Sequence, residues 1–264
     1  MTSWIQRFNV YGYLRRPMTK FSHDSIVPFK DSGLRKKYQV AEMFDRIAFR
    51  YDLLNRFLSG GIDSRWRKKA IRQLADLHPK DILDVATGTA ELAIIAAKYL
   101  KPAKVTGIDI STGMLAIGQQ KIEQQKLTSV ITLYRGDAEE IHFPDNSFDA
   151  ITVAFGVRNF EDLEQGLKEI RRVLKPGGRL VVLEFSKPRG QFFQKLYNAY
   201  IKIVAPGIGK MVAKSAEAYR YLGDSVKAFP EGAHFLEVLS GTGFQNCRLK
   251  TLSFCICSIY TGDK

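Results

Sequence analysis

Between residues 39 and 58 the apolar positions Val40, Met43, Phe44, Ile47, Tyr51, Leu54 and Leu58 recur at intervals of three and four, which predicts an amphipathic helix. Gly60 and Gly61 stop it. A second helix is predicted over 64–77, with Trp66, Ala70 and Leu74 on one face and Arg67, Lys68, Lys69 and Arg72 on the other. From Lys80 the rhythm changes to short apolar runs alternating with helix-length segments, the pattern of βαβ units around a parallel sheet. Strands are expected at 82–86, 105–108, 130–134, 148–154 and 179–184, with helices near 90–100, 112–126 and 161–174. Pro176-Gly177-Gly178 is expected to form the turn before the fifth strand, because proline stops the helix and glycine tolerates the bend. Residues 188–220 break this rhythm. A last helix over 229–239 and a closing hairpin of strands 247–251 and 254–260 complete the pattern, in which Cys255 and Cys257 would share one strand face as core residues.

A chain of 264 residues with 45% hydrophobic and 25% charged residues can bury a core as one large domain, which excludes disordered and low-complexity classes. No window carries the roughly 18 consecutive apolar residues of a membrane span, and the first residues lack the apolar block of a secretory signal. Cys247, Cys255 and Cys257 suit neither a disulfide framework nor a zinc spacing, so a reducing compartment and no metal are expected. The net charge of +13 is uneven: residues 1–75 carry 16 basic against 6 acidic side chains and residues 187–220 carry 7 against 1, flanking a slightly acidic middle. Such flanks suit an anionic membrane surface, a nucleic-acid backbone, or simply solvent. Residues 1–37 read as a basic N-terminal tail, whose first part is a loose extension or an organelle transit peptide, with Met18 an alternative start.

In open α/β sheets ligands bind at the carboxyl ends of the strands, where the strand order switches. The first strand runs into Asp84-Val85-Ala86-Thr87-Gly88-Thr89-Ala90-Glu91, where Gly88 would let a ligand approach the backbone and Thr89 offers a hydroxyl. Ala86 and Glu91 stand where a dinucleotide fingerprint needs glycine, so a pyrophosphate cradle is not supported. Asp109 ends the second strand at the position from which a carboxylate accepts both ribose hydroxyls, and Asp137 with Ala138 follows the third, suited to the amino edge of an adenine. Each acid alone could be a helix cap. Acids after successive strands, around a turn unsuited to phosphates, point to a nucleoside without phosphates, of which S-adenosylmethionine is the obvious candidate.

The stretches Tyr51-Asp52-Leu53-Leu54-Asn55-Arg56-Phe57-Leu58-Ser59, Phe155-Gly156-Val157-Arg158-Asn159, Arg172-Val173-Leu174-Lys175-Pro176-Gly177-Gly178 through Glu184 to Ser186, and Tyr219-Arg220-Tyr221-Leu222 resemble the ubiquinone/menaquinone biosynthesis C-methyltransferase family, over roughly 38–262. The resemblance implies a class I S-adenosylmethionine-dependent methyltransferase, a Rossmann-like α/β fold with a seven-stranded mixed sheet, N-terminal helices and a helical cap. The methyltransferase domain would span 38–264, with a cap insertion at 188–220 whose aromatic and basic residues could cover an isoprenoid tail. It further implies transfer of a methyl group to a ring carbon of a polyprenyl quinol, with Thr89, Asp109, Asp137 and Ala138 on the cofactor, beside Gly88 as the turn already suggests. Leu54, Asp63 and Ala154 depart from residues common in the family, and Asp63 weakens any mechanism that relies on an imidazole there.

For the reaction itself, a guanidinium that stabilises a quinol oxyanion would raise the nucleophilicity of the ring carbon, and Arg158 beside Asn159 is the residue chosen for it, the alternative being that Arg158 forms a structural salt bridge. Tyr51 is expected to hydrogen-bond the quinol or to pack, and His142 to stand in a solvent-facing loop. The expected reaction is conversion of demethylmenaquinol to menaquinol, the alternatives being methylation of a polyprenyl methoxy-benzoquinol or, from another class, an RNA-binding protein or RNA methyltransferase. Expected too are a cytoplasmic location with peripheral contact to the inner membrane, no nucleic-acid partner, and association as a homodimer.

Overall fold

The computed structural model describes residues 21–187 and 216–264. Seven strands, β1 (Asp81–Val85), β2 (Lys104–Asp109), β3 (Ile131–Arg135), β4 (Phe148–Ala154), β5 (Leu174–Phe185), β6 (Gln245–Leu252) and β7 (Cys257–Asp263), form one sheet in the order β3-β2-β1-β4-β5-β7-β6. The first five are parallel, and β7 pairs antiparallel with both β5 and β6. The order reverses between β1 and β4, which opens a crevice at their carboxyl ends.

Helices α1 (Lys36–Leu58), α2 (Asp63–Ile71), α3 (Glu91–Leu100), α4 (Thr112–Gln124), α5 (Leu163–Val173), α6 (Ala216–Ala228) and α7 (Ala233–Gly241) surround the sheet. The central strands are apolar on both faces, as a covered parallel sheet requires. Val85, Ile151, Val153 and Val182 join Leu163, Leu167 and Ile170 of α5 and Phe235 of α7 on one side. Ile82, Ala150 and Val181 join Trp66 and Ala70 of α2 and Leu92, Ala93 and Ala96 of α3 on the other. Ser111 caps α4 by accepting from Met114 N at 3.2 Å, and Asp162 caps α5 by accepting from Gln165 N at 2.9 Å, so each satisfies a donor the first turn leaves open.

The seven-stranded mixed sheet agrees with the expectation, while several details differ. The run Pro176-Gly177-Gly178 lies inside β5, whose pairing with β4 begins at Leu174 and then slips register. Gly177 adopts φ +78 and donates to the Lys264 carbonyl at 2.9 Å, so the glycines form a bulge pinned by the last residue. The helix expected over 64–77 changes at Arg72 into a 3-10 segment, Arg72–Leu77. Helix α6 begins inside the expected insertion; of the 188–220 segment, residues 188–215 lie outside the described residues, as do residues 1–20 of the tail. Residues 21–35 are packed on the domain: His23 is fully buried, and the buried Lys36 Nζ donates to the carbonyls of His23, Phe160 and Arg158 at 2.8, 2.9 and 3.3 Å. Cys255 sits in the β6–β7 turn with φ +68, so only Cys257 occupies a buried strand position.

Candidate active site

The turns that follow β1 and β4 meet at the switch point. Ala86, Gly88 and Ala90 all have φ between +53 and +61, as does Phe155 after β4 at +58, so both chains turn sharply at the strand ends. Gly156 allows the two turns to touch: a Cβ there would lie 2.7 Å from Ala86 Cβ and 3.1 Å from Val153 Cγ1. The result is an open cleft at the carboxyl ends of the strands.

Of the residues named from the sequence, Gly88, Asp109, Asp137, Ala138, Tyr51 and Asn159 line this cleft. Asp109 accepts from Gly88 N through Oδ2 and from Ser111 N through Oδ1, each at 2.8 Å, and burial pushes its carboxyl up to about 6. A carboxylate oxygen can accept twice, so each retains capacity for a ligand hydroxyl. Asp137 accepts from Glu139 N at 2.9 Å and from Lys37 Nζ at 2.6 Å. Asn159 donates to the Phe155 carbonyl at 3.3 Å and accepts from Tyr221 Oη at 3.1 Å. Tyr51 stands edge-on to Phe44, ring centroids 5.7 Å apart, on the wall that α1 provides.

Two named residues stand outside that lining. The Thr89 hydroxyl donates to Asp52 at 2.7 Å and accepts from Lys121 at 3.2 Å, which commits it to a junction between α1, α3 and α4. Arg158 is buried: Nη1 donates to the Phe155 carbonyl at 2.6 Å and to Glu184 Oε1 at 2.7 Å. Its guanidinium lies 5.6 Å from the ring of Phe185, which stacks on Phe155 at 4.4 Å, and Arg67 lies 5.1 Å from Phe155 on α2's side. His142 is largely exposed, as expected of its loop.

Sequence reasoning missed how far α1 builds the site. Lys37, Phe44 and Tyr51, seven residues apart, face the cleft, and Val40 completes the wall. Asp45 accepts from Ser111 Oγ at 2.6 Å and Gly113 N at 2.8 Å, while Asp52 pairs with Lys121 at 2.5 Å, so the helix is tied across the ends of β1 and β2. The signal was present as two seven-residue spacings, which keep side chains near one face of a helix. Glu184 and Asp84 were likewise not given roles. Asp84 accepts the hydroxyls of Thr87 and Thr152 at 2.6 Å each, joining β1 to β4, and burial pushes it up to about 6.

These residues fit a phosphate-free nucleoside. Asp109 supplies acceptors, Gly88 exposes backbone without a side chain, and Ile110, Met114 and Ala138 supply apolar wall. The lysine that lines the cleft, Lys37, is committed to Asp137 and to Glu139 at 3.1 Å rather than offered to a phosphate.

Comparison with known proteins bears on family and fold. A demethylmenaquinone methyltransferase from Bacteroides fragilis is 46% identical over 244 residues, 92% of this chain and 99% of its own length. A ubiquinone/menaquinone biosynthesis C-methyltransferase UbiE from Geotalea daltonii is 46% identical over 230 residues, 87% of this chain and 97% of its own. Among solved structures, an S-adenosylmethionine-dependent methyltransferase from Thermotoga maritima superimposes with a TM-score of 0.58 at 19% identity, covering 84% of this chain and 99% of that one, and so shares the class I fold. The ubiE/COQ5 methyltransferase pattern matches residues 32–264, and this chain belongs to that family.

Proposed function

We propose that the protein methylates a ring carbon of demethylmenaquinol, giving menaquinol, with S-adenosylmethionine as donor. The observation that carries this reading is one cleft in which a ribose-type carboxylate, Asp109, and the Phe155–Asn159 turn face each other across the switch point. The names of relatives at 46% identity over nearly their whole length supply the acceptor class.

S-adenosylmethionine, when bound, supplies a methyl group already activated on a sulfonium. The chain has to place the acceptor carbon in line with that bond and keep water out, and orientation of this kind can contribute several kcal/mol. Asp109 would accept the ribose hydroxyls, Gly88 would let the backbone approach closely, and Asp137 with Ala138 would hold the base edge. Asn159 retains a second Nδ2 hydrogen for a quinol oxygen, with its orientation held by Tyr221 Oη. Tyr51 would close the acceptor side from α1. Arg158, its charge shared with Glu184, would fix the Phe155 carbonyl and hold a guanidinium behind the aromatic wall as the group that favours oxyanion character on the ring.

Among the described residues no helix is long and apolar enough to cross a membrane. A polyprenyl substrate resides in a bilayer, so the reading includes a cytoplasmic enzyme in peripheral contact with that membrane.

The test is incubation of purified protein with radiolabelled S-adenosylmethionine and, separately, reduced demethylmenaquinone and a reduced polyprenyl methoxy-benzoquinone. Label in the first lipid extract is expected. Label confined to the second would move the assignment to the ubiquinone branch, and label in neither, with cofactor binding intact, would overturn the quinol reading.

A further inference from the structure

Along α1 and the start of α2 three of the acids are held by partners of the domain, while most of the cations stand on the surface. Asp45 is spent on Ser111 and Gly113, Asp52 on Thr89 and Lys121, and Asp63 on Ser59 and Arg67, both at 3.1 Å. Arg46, Arg50, Arg56, Arg65, Lys68 and Lys69 are exposed; Arg46 is paired with Glu42, and Arg50 has a partner as well. The outer surface of this stretch therefore carries net positive charge.

The same surface carries bare hydrocarbon. Phe49 is 88% exposed and Leu53, one turn on, 45%, on the side of α1 opposite the buried Val40 and Ala48. A second projection stands at the same end of the sheet. Phe254, 67% exposed, lies in the β6–β7 turn, beside the end of β5 because Cys257 pairs with Phe185, and Trp66 Nε1 donates to Ser253 Oγ at 2.8 Å, which ties that turn to α2. Since α1 is also the wall of the cleft, this face lies over the site.

We propose that the outer face of α1, the start of α2 and the β6–β7 turn form a docking surface for an anionic phospholipid bilayer. Phe49, Leu53 and Phe254 enter the interface, and the arginines and lysines around them meet headgroup phosphates. Exposed aromatic and aliphatic side chains ringed by cations are what an interfacial segment presents, and each basic residue near an anionic surface adds attraction that salt screens. A nucleic-acid backbone would satisfy the charge but would leave Phe49 and Leu53 in water. Docking through this face deepens the quinol reading, because it presents the cleft to a substrate that lives in the bilayer, yet binding can be tested without that reading.

The experiment uses the full chain with vesicles of phosphatidylcholine alone or with phosphatidylglycerol, and with RNA as a competing partner. Wild type is compared with the double variants Phe49→Glu/Leu53→Glu and Lys68→Glu/Lys69→Glu, after thermal melting confirms that they fold. Wild-type sedimentation with phosphatidylglycerol vesicles, weakened by salt, and at least about tenfold weaker binding in both variants are expected. Methylation of a vesicle-embedded polyprenyl quinol should fall in parallel, while a single-isoprene quinol in buffer is turned over at the wild-type rate. Vesicle binding by the variants equal to wild type, or wild-type preference for RNA over vesicles, overturns the docking surface. Failure of wild type to methylate either quinol counts against the quinol reading instead, with vesicle binding still deciding the surface.

Discussion

Arg158 and Glu184 form an ion pair at 2.7 Å in which neither side chain is more than 5% exposed. The partners come from the turn after β4 and the end of β5, and burial pushes Glu184 up even though Arg158 opposes the shift. Glu184 Oε2 and Arg158 Nε are buried with no hydrogen-bond partner among the described residues, so the pair is held through Glu184 Oε1, which also accepts from Phe185 N at 2.8 Å, and Arg158 Nη1. Glu184→Ala leaves a buried cation uncompensated and is expected to cost about 3–5 kcal/mol in urea unfolding. Replacing both, as Arg158→Met with Glu184→Leu, should recover much of that loss while methyl transfer stays low. Recovery of activity along with stability would show that the pair is only structural.

Asp109 is expected to dominate cofactor affinity. Asp109→Asn removes a charged acceptor from two hydroxyls, and hydrogen bonds to charged groups are worth roughly 1.5–3 kcal/mol, so titration calorimetry should show S-adenosylmethionine binding about 10- to 100-fold weaker. Unchanged affinity would remove Asp109 from the site.

The same carboxyl gives affinity and stability opposite pH dependences. Asp109 holds its proton up to about 6 in the folded chain, against an ordinary value of 3.8, so the folded state binds that proton more tightly than the unfolded one. Its contribution to stability is full below about 4 and is lost as pH rises through 6. Cofactor binding needs the ionised form and should weaken as pH falls below 6. Relative to Asp109→Asn, wild type should therefore gain unfolding free energy between pH 7 and 5 while losing cofactor affinity. A difference between the two proteins that stays flat across this range would place the Asp109 proton elsewhere.

Gly156 is where the two turns of the switch point touch. A methyl group at 2.7 Å from Ala86 Cβ has to push apart backbone that already holds positive φ at Ala86 and Phe155. Gly156→Ala is expected to cost about 1–3 kcal/mol and to lower cofactor affinity together with stability. Alanine at Gly223, where a Cβ would meet nothing within 4 Å, serves as the control and should change neither by more than a small helix-propensity effect.

Much of this architecture was legible because the parallel strands are short apolar runs at the positions where β1 to β5 form, and because Gly88, Asp109 and Asp137 follow them directly. Less legible was anything decided across the sheet. Glu184 becomes Arg158's partner only when β5 lies beside β4, and no spacing along the chain encodes that adjacency. The hairpin turn was misplaced because Ser253, Phe254 and Cys255 all adopt positive φ without the glycine or asparagine that usually announces such a turn. The role of α1 was half legible: its period was plain, but nothing in that period marks Asp45 and Asp52 as the acids that meet α4, Thr89 and Lys121.

Lys37 offers a test of α1 as the wall that retains the cofactor. Its ammonium bridges Asp137 at 2.6 Å and Glu139 at 3.1 Å, and these carboxylates raise its pKa despite burial, so it remains charged. Lys37→Ala would free the first turn of α1 and leave Asp137 and the buried Glu139 without the cation between them, which should push Glu139, already raised by burial, higher still. A partly buried bridge of this kind is worth about 1 kcal/mol, so release of S-adenosylmethionine in stopped-flow should accelerate about fivefold, with little change in the association rate. Lys37→Arg keeps the charge and should fall between the two. The opposite pattern, slower association with unchanged release, would mean that Lys37 steers the cofactor in and that α1 is held shut by Asp45 and Asp52 alone.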